Sequence, residues 1–207
     1  MKITRKLVVL LLLVFLFPVV SMGETVDRTE LVTRDNLYYK KFTDVPFTGT
    51  VTGNEQGESV EGKKVGVWLN FYESGQLYSR SIYSEPNVYS GEYSEYYENG
   101  CLRVKGQYVD NNRDGLFGMF HENCKVQIAG KFDKGKKVGE WVSLYDSELV
   151  FVKGVFNEKG ERHGNWFLYS KSGEVRGQIS YNKGEIVSKK GSKSVLLNLE
   201  VSFSGIR

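Results

Sequence analysis

One unbroken apolar run, Leu7 to Val20, stands near the start of the chain behind Lys2, Arg5 and Lys6. No second run of that length follows. Apolar positions then come in short stretches, and large residues return at a fixed interval. Trp68, Tyr93, Phe117, Trp141 and Trp166 stand 24 or 25 residues apart. Two places before each is a glycine: Gly66, Gly91, Gly115, Gly139 and Gly164. Three places after comes Phe71, Tyr96, Phe120, Leu144 or Tyr169, and nine after comes Leu77, Leu102, Val126, Val150 or Val175. Fifteen after stands Tyr83, Tyr108, Phe132, Phe156 or Tyr181. Five columns in phase define a repeat array, in which each unit buries its apolar face only against its neighbours.

The spacing inside a unit predicts a hairpin. Trp68 to Tyr72 and Leu77 to Tyr83 flank Ser74-Gly75, and Asn99-Gly100 and Ser172-Gly173 stand at the same place. Read as two-residue turns, these pair Tyr72 with Leu77 and Trp68 with Ser81. Lys134-Gly135 links one unit to the next and pairs Phe132 with Lys137 and Gly130 with Gly139. Opposed residues share a face, so Gly139, Trp141, Tyr145, Val150, Gly154 and Phe156 are expected on one side, with Trp141 opposite Gly154. The glycines Gly106, Gly130 and Gly154 make room for rings lying flat on the backbone. Five hairpins give an all-β, elongated antiparallel array, a single twisted sheet about 45–50 Å long. No helical pattern of a dozen residues follows the first segment, and Ser194 to Ser204 reads as one or two irregular closing strands.

The basic start, the apolar run and Ser21-Met22-Gly23 fit a helical secretory signal peptide over residues 1–23, with cleavage after Gly23 or after Ser21. The expected plan is then an N-terminal cap with a partial unit at 24–59, five units at 60–182 and a C-terminal cap or tail at 183–207. In the partial unit, Pro46-Phe47-Thr48-Gly49 resembles the Gly-x-aromatic step. The formal net charge of +3 belongs to the first segment, because the remainder carries 25 basic and 25 acidic residues. Overall basicity therefore gives no argument for nucleic acid, and a membrane surface has only the looser tail of Lys183, Lys189, Lys190 and Lys193 behind it.

Units such as Gly62-Lys63-Lys64-Val65-Gly66-Val67-Trp68, Gly135-Lys136-Lys137-Val138-Gly139-Glu140-Trp141 and Gly160-Glu161-Arg162-His163-Gly164-Asn165-Trp166 resemble the variant MORN repeat of bacterial proteins. Phe42 to Thr50 resembles the entry segment of the group labelled YwqK-type antitoxins. The resemblance implies a MORN-like sheet and an antitoxin-like activity. Eukaryotic MORN proteins imply scaffolding and phospholipid contact. Cys124 and Glu148 depart from the pattern by standing where a turn glycine is expected, and Pro86-Asn87 replace a Gly turn.

Candidate chemistry is sparse. His121 takes the place of Tyr72, Tyr97 and Tyr145, a ring for a ring, and His163 reads as a solvated turn residue. No nucleophile elbow, zinc-protease pair or phosphate loop is present, and the expectation is no enzyme, no cofactor and no metal. Asp110 to Gly115 mimics the start of a calcium loop, but the twelfth position is His121 rather than a bidentate glutamate. Lys63-Lys64 and Lys136-Lys137 read as solvated turn charges. Cys101 and Cys124 could form one bridge: an oxidising compartment favours it, whereas equivalent positions one hairpin apart lie about 9.5 Å apart, beyond the usual reach. The reading that follows is an exported scaffold in the periplasm, envelope or exterior, binding a protein partner. An antitoxin- or immunity-like protein with one partner is the second reading, and a lipid-surface protein the third.

Overall fold

The computed structural model describes residues 23–206, so the signal peptide expected over residues 1–23 lies, except for Gly23, outside the described residues. From Gly49 to Lys190 the chain lays down the longer strands of a 16-stranded sheet in sequence order, each hydrogen-bonded to the last, while the two-residue strands Val88–Tyr89 and Asn112–Arg113 pair only with the strand before them. At the N-terminal end, strand Glu24–Asp27 runs parallel to Gly49–Thr52, with Val26 opposite Val51. The sheet is therefore mixed, where pure antiparallel pairing was expected. The connection between these two strands explains it. A short 3-10 turn, Arg28–Glu30, and a separate two-stranded sheet, Leu31–Arg34 with Leu37–Lys40, cross over the sheet and return the chain in the same direction.

The register through the repeats follows the hairpin logic at most points. Trp68 pairs with Ser81, Trp141 with Gly154 and Phe132 with Lys137. Two details differ. The turns at Ser74-Gly75 and its counterparts are three-residue loops. Gly75 N–H donates to Tyr72 O (2.9 Å) and Tyr72 N–H to Gln76 O (2.8 Å), so Leu77 pairs with Phe71 rather than Tyr72. Type I turns closed by a left-handed residue have this form. Cys124 and Glu148 hold that left-handed place with φ of 65° and 68°. Gly130 and Gly139 do not pair either. Lys131 faces Val138 while Ala129 faces Val142, so strand Lys136–Leu144 carries two extra residues at this point. Gly139, at φ 68° with open space around it, supplies the left-handed step that the bulge requires.

That bulge decides where the rings go. A Cβ on Gly130 would overlap the Trp141 ring, one on Gly154 the Trp166 ring and one on Gly57 the Trp68 ring. Each tryptophan thus folds back over the glycine of the preceding strand. Trp141 is in register with Gly154 but does not cover it. Its Nε1–H donates to Lys131 O (3.2 Å), and Trp68 and Trp166 donate likewise to Glu58 O and Val155 O. All three tryptophans are fully buried.

The closing segment is a helix rather than strands. Helix α1, Lys193–Val201, lies on the aromatic face with Leu199 fully buried, and Phe203 and Ile206 are buried beyond it. Val195, Leu196 and Leu199 share one helical face, a stripe too short to stand out in a chain of alternating strands.

Candidate functional site

The aromatic face is roofed at its two ends. Tyr38, from the crossing hairpin, stacks on Trp68 with ring centroids 5.6 Å apart. Phe203 lies 5.8 Å from both Trp141 and Trp166. Between these roofs a groove of about 630 Å³ remains, bounded by Arg103, Arg113, Met119, Ile128, Phe203 and Ile206. Its floor belongs to a continuous cross-strand row. Glu95 faces Val104, Val104 faces Met119, Met119 faces Ile128, Ile128 faces Ser143, Ser143 faces Val152, Val152 faces Leu168 and Leu168 faces Gly177. Helix α1 covers the last part of this row. Over Met119 and Ile128 it is half-open.

A further column, four residues before each ring, lies along the same face: Lys64, Tyr89, Arg113, Lys137 and Arg162. Lys64 Nζ sits 4.4 Å from the Trp68 ring centre, the Arg113 guanidinium 4.7 Å from Phe117, Lys137 Nζ 5.8 Å from Trp141 and the Arg162 guanidinium 4.2 Å from Trp166. Lys64 and Lys137 are therefore not the solvated turn charges expected of them. Their stems lie on the rings, and the ammonium groups meet the negative ring faces. The period was legible in the sequence as one more column. Its direction was not, since a lysine beside a turn is usually in water.

The cations are satisfied differently. Glu55 bridges Lys64 (2.5 Å) and Arg28 (2.7 Å). Burial would raise the Glu55 pKa, but hydrogen bonds and charge from Lys64, with Arg28 and Tyr38 adding to them, hold it below its ordinary value. Arg162 donates to the carbonyls of Leu199 (2.6 Å), Glu200 (3.0 Å) and Ser202, closing the C-terminal end of α1. Burial, and then the charges of Arg113 and Arg162, lower the Lys137 pKa. Arg113 donates from Nε to the Tyr108 hydroxyl (3.0 Å), and its Nη1 is buried with no acceptor. Tyr89 stands in the basic column of the second unit, 4.4 Å from Tyr108 and 5.8 Å from Tyr93. Burial first, then the neighbouring tyrosines, raise the Tyr93 hydroxyl to about 12.

The remaining sequence candidates fall elsewhere. Gly66, Gly91, Gly115, Gly139 and Gly164 all have positive φ and belong to the backbone step before each ring. Cys101 and Cys124 form a disulfide with Cα atoms 5.1 Å apart. The 9.5 Å expectation measured equivalent points of two hairpins. Cys101 lies on the far side of its turn, and extending the pairing of Val104 with Met119 brings it opposite Glu122, beside the next hairpin tip. Those tips are also tied by Asn99 Nδ2–H donating to Glu122 O (2.7 Å). Along the same edge Tyr72, Tyr97 and Tyr145 hydroxyls donate to Tyr96 O, Phe120 O and Tyr169 O. The His121 ring takes the same place in its unit, with Nε2 3.2 Å from Leu144 O. Asp110 and Asn111 form a left-handed two-residue turn, and Asn112 donates back to Asp110 O. Among the described residues no three or more His, Cys, Asp or Glu side chains converge. In the basic tail, Lys189 pairs with Glu200 at 2.6 Å.

Three segments, residues 64–85, 89–110 and 162–183, match the model of the MORN repeat variant. These segments lie within the repeated hairpins already described, and the chain is similar there to the MORN repeat variant. The match does not extend to the antitoxin grouping that Phe42 to Thr50 suggested. No curated protein matches the sequence. Among solved structures, a mutant of S. aureus TarM in complex with fondaparinux, alpha-GlcNAc-glycerol and UDP aligns at 12% identity and TM-score 0.30, over 66% of this chain and 22% of that one. A second TarM crystal structure aligns at 14% identity and TM-score 0.29, over 69% and 22%. The chain thus spans about a fifth of the length of these structures.

Proposed function

We propose that this chain is an exported, non-catalytic MORN scaffold that binds a protein partner through the central stretch of its aromatic face. The observation that carries this reading is the groove between the two roofs. Tyr38 and Phe203 cover the ends of the ring column, and Met119 and Ile128 are left half-open beside Arg113. The repeat residues themselves serve the fold, with tryptophan N–H groups and turn hydroxyls bonded to backbone carbonyls. The Cys101–Cys124 bridge supports export, because disulfides persist in oxidising compartments. A groove of this size suits one defined partner, which is the sense in which an antitoxin- or immunity-like role fits.

The test is co-purification from envelope fractions, with the chain expressed with and without residues 1–23. The expected result is a partner that co-purifies with the exported chain and is lost on Met119→Glu. A full-length cytoplasmic chain retaining Met1, or a partner indifferent to Met119→Glu, would overturn the proposal.

A further inference from the structure

Arg113 and Arg162 occupy the same place in their units, four residues before Phe117 and Trp166. Each guanidinium lies over that ring and 5.4 Å from a second, Phe132 for Arg113 and Tyr181 for Arg162. The floor beside them repeats as well. Val104, Met119 and Ile128 stand two units before Val152, Leu168 and Gly177, and both triplets are paired directly across their strands. Over the later triplet the chain shows what this arrangement holds. Helix α1 lies on it, and its last carbonyls point at Arg162. A helix end leaves four carbonyls without partners and carries partial negative charge, which a forked, permanently charged guanidinium meets well.

The earlier copy has its floor in the same register, Val104, Met119 and Ile128 for Val152, Leu168 and Gly177, and a guanidinium in the same place, without the helix. Arg113 uses Nε on Tyr108 and its Nη1 is buried in the face, but among the described residues its Nη2 has no acceptor and no carboxylate pairs with it, and the side chain lines the groove. We infer that the groove receives a helix of the protein partner, seated as α1 is seated, with its last-turn carbonyls on Arg113. One difference between the copies sets what that helix must look like. The absence of a side chain on Gly177 leaves the space that Val195 fills from α1. Ile128 fills the equivalent space in the groove. The partner helix therefore presents alanine, glycine or serine where α1 presents Val195, and keeps larger apolar residues one and four places later, where α1 has Leu196 and Leu199.

This inference rests on the scaffold reading, so its test separates the two. A phage library that holds the Ser192–Ile206 sequence helical within a two-helix hairpin, randomised at the positions of Val195, Leu196 and Leu199, is panned on the mature full chain, whose own α1 remains in place. Enriched clones are expected to carry a small residue at the first position. Their binding should fall about tenfold or more on Arg113→Gln, as when one partner of a buried charged contact is removed. Arg113→Lys keeps the charge over the ring and the fold but loses the fork, and should weaken binding less than Arg113→Gln. Leu116→Ser, at an exposed position, should change nothing. No enrichment, or clones equally tight on Arg113→Gln, would overturn the inference. If the envelope experiment still returns a partner that Met119→Glu releases, the scaffold reading survives that failure; if it does not, both fall.

Discussion

Replacing Trp141 by alanine removes a fully buried ring that touches four others. Phe117, Phe132, Phe156 and Phe203 lie 5.9, 5.1, 6.1 and 5.8 Å from it, centre to centre. Loss of such a side chain costs about 3–5 kcal/mol, through lost burial and the cavity left behind. For a chain of this size each kcal/mol moves the melting point by about 2–4 °C, so a fall of roughly 6–20 °C is expected. Lys136→Ala, at the exposed first position of strand Lys136–Leu144, should stay within about 0.5 kcal/mol. The decisive measurement is a double-mutant cycle with Gly130. A methyl at Gly130 runs into the Trp141 ring, so Gly130→Ala should cost about 1–3 kcal/mol in the native background. With Trp141→Ala already present the obstruction is gone, and the same change should cost nothing or stabilise the strand slightly. Urea unfolding of the four proteins measures this. Equal cost in both backgrounds would refute the placement of the ring over Gly130, and equal melting of Trp141→Ala and Lys136→Ala would refute its burial.

Gly154→Val should be damaging through the Trp166 ring, so Trp166→Ala should relieve it while Trp141→Ala does not; unfolding midpoints distinguish the two. Arg162→Ala removes charged donors from the end of α1, each worth about 1.5–3 kcal/mol, and amide exchange should quicken in Lys193–Val201 before the repeats. Thiol titration of the unfolded, unreduced mature chain should find no free thiols, and Cys101→Ser should lower stability by about 2–4 kcal/mol; two free thiols would end the bridge. Glu55 has a lowered folded pKa, so its contribution is present above the unfolded value of 4.5 and is lost as pH falls through the folded one. Acid unfolding should therefore flatten in Glu55→Gln, and an unchanged pH profile would remove Glu55 from that role. A reporter fused behind residues 1–23 should be secreted, with the mature chain starting at Glu24 or Met22, as N-terminal sequencing would show.

The period, the hairpins and the turn positions were legible along the chain because they rest on local chemistry. Side chains alternate across a strand, and a three- or four-residue turn depends on its own residues. Cys124 and Glu148 stand in a glycine's place in the repeat, and both have the left-handed backbone that the place demands. The exact loop length was missed because a two-residue turn and a three-residue loop with a bulge use the same Ser-Gly pair. The one-residue difference appears only in the partner of Leu77.

What tertiary structure alone decided is everything that crosses the face. Trp141 pairs with one glycine and covers another because two extra residues swing it back over its own hairpin's predecessor. Lys64 and Lys137 lie along the face because rings stand four residues on and take their stems and charges. Residues 193–201 make too short a segment to be a stable helix alone, and are helical here because Leu199 finds the row above Gly177 and Arg162 accepts the burden of the last carbonyls by donating to them. The cysteines meet because the far side of one hairpin tip faces the next. The sequence by itself determined the repeating unit, since each unit's signals lie within about two dozen residues of one another. Which part of the shared face is roofed and which is open depends on how far the two chain ends reach across it, a long-range packing outcome that no single unit encodes.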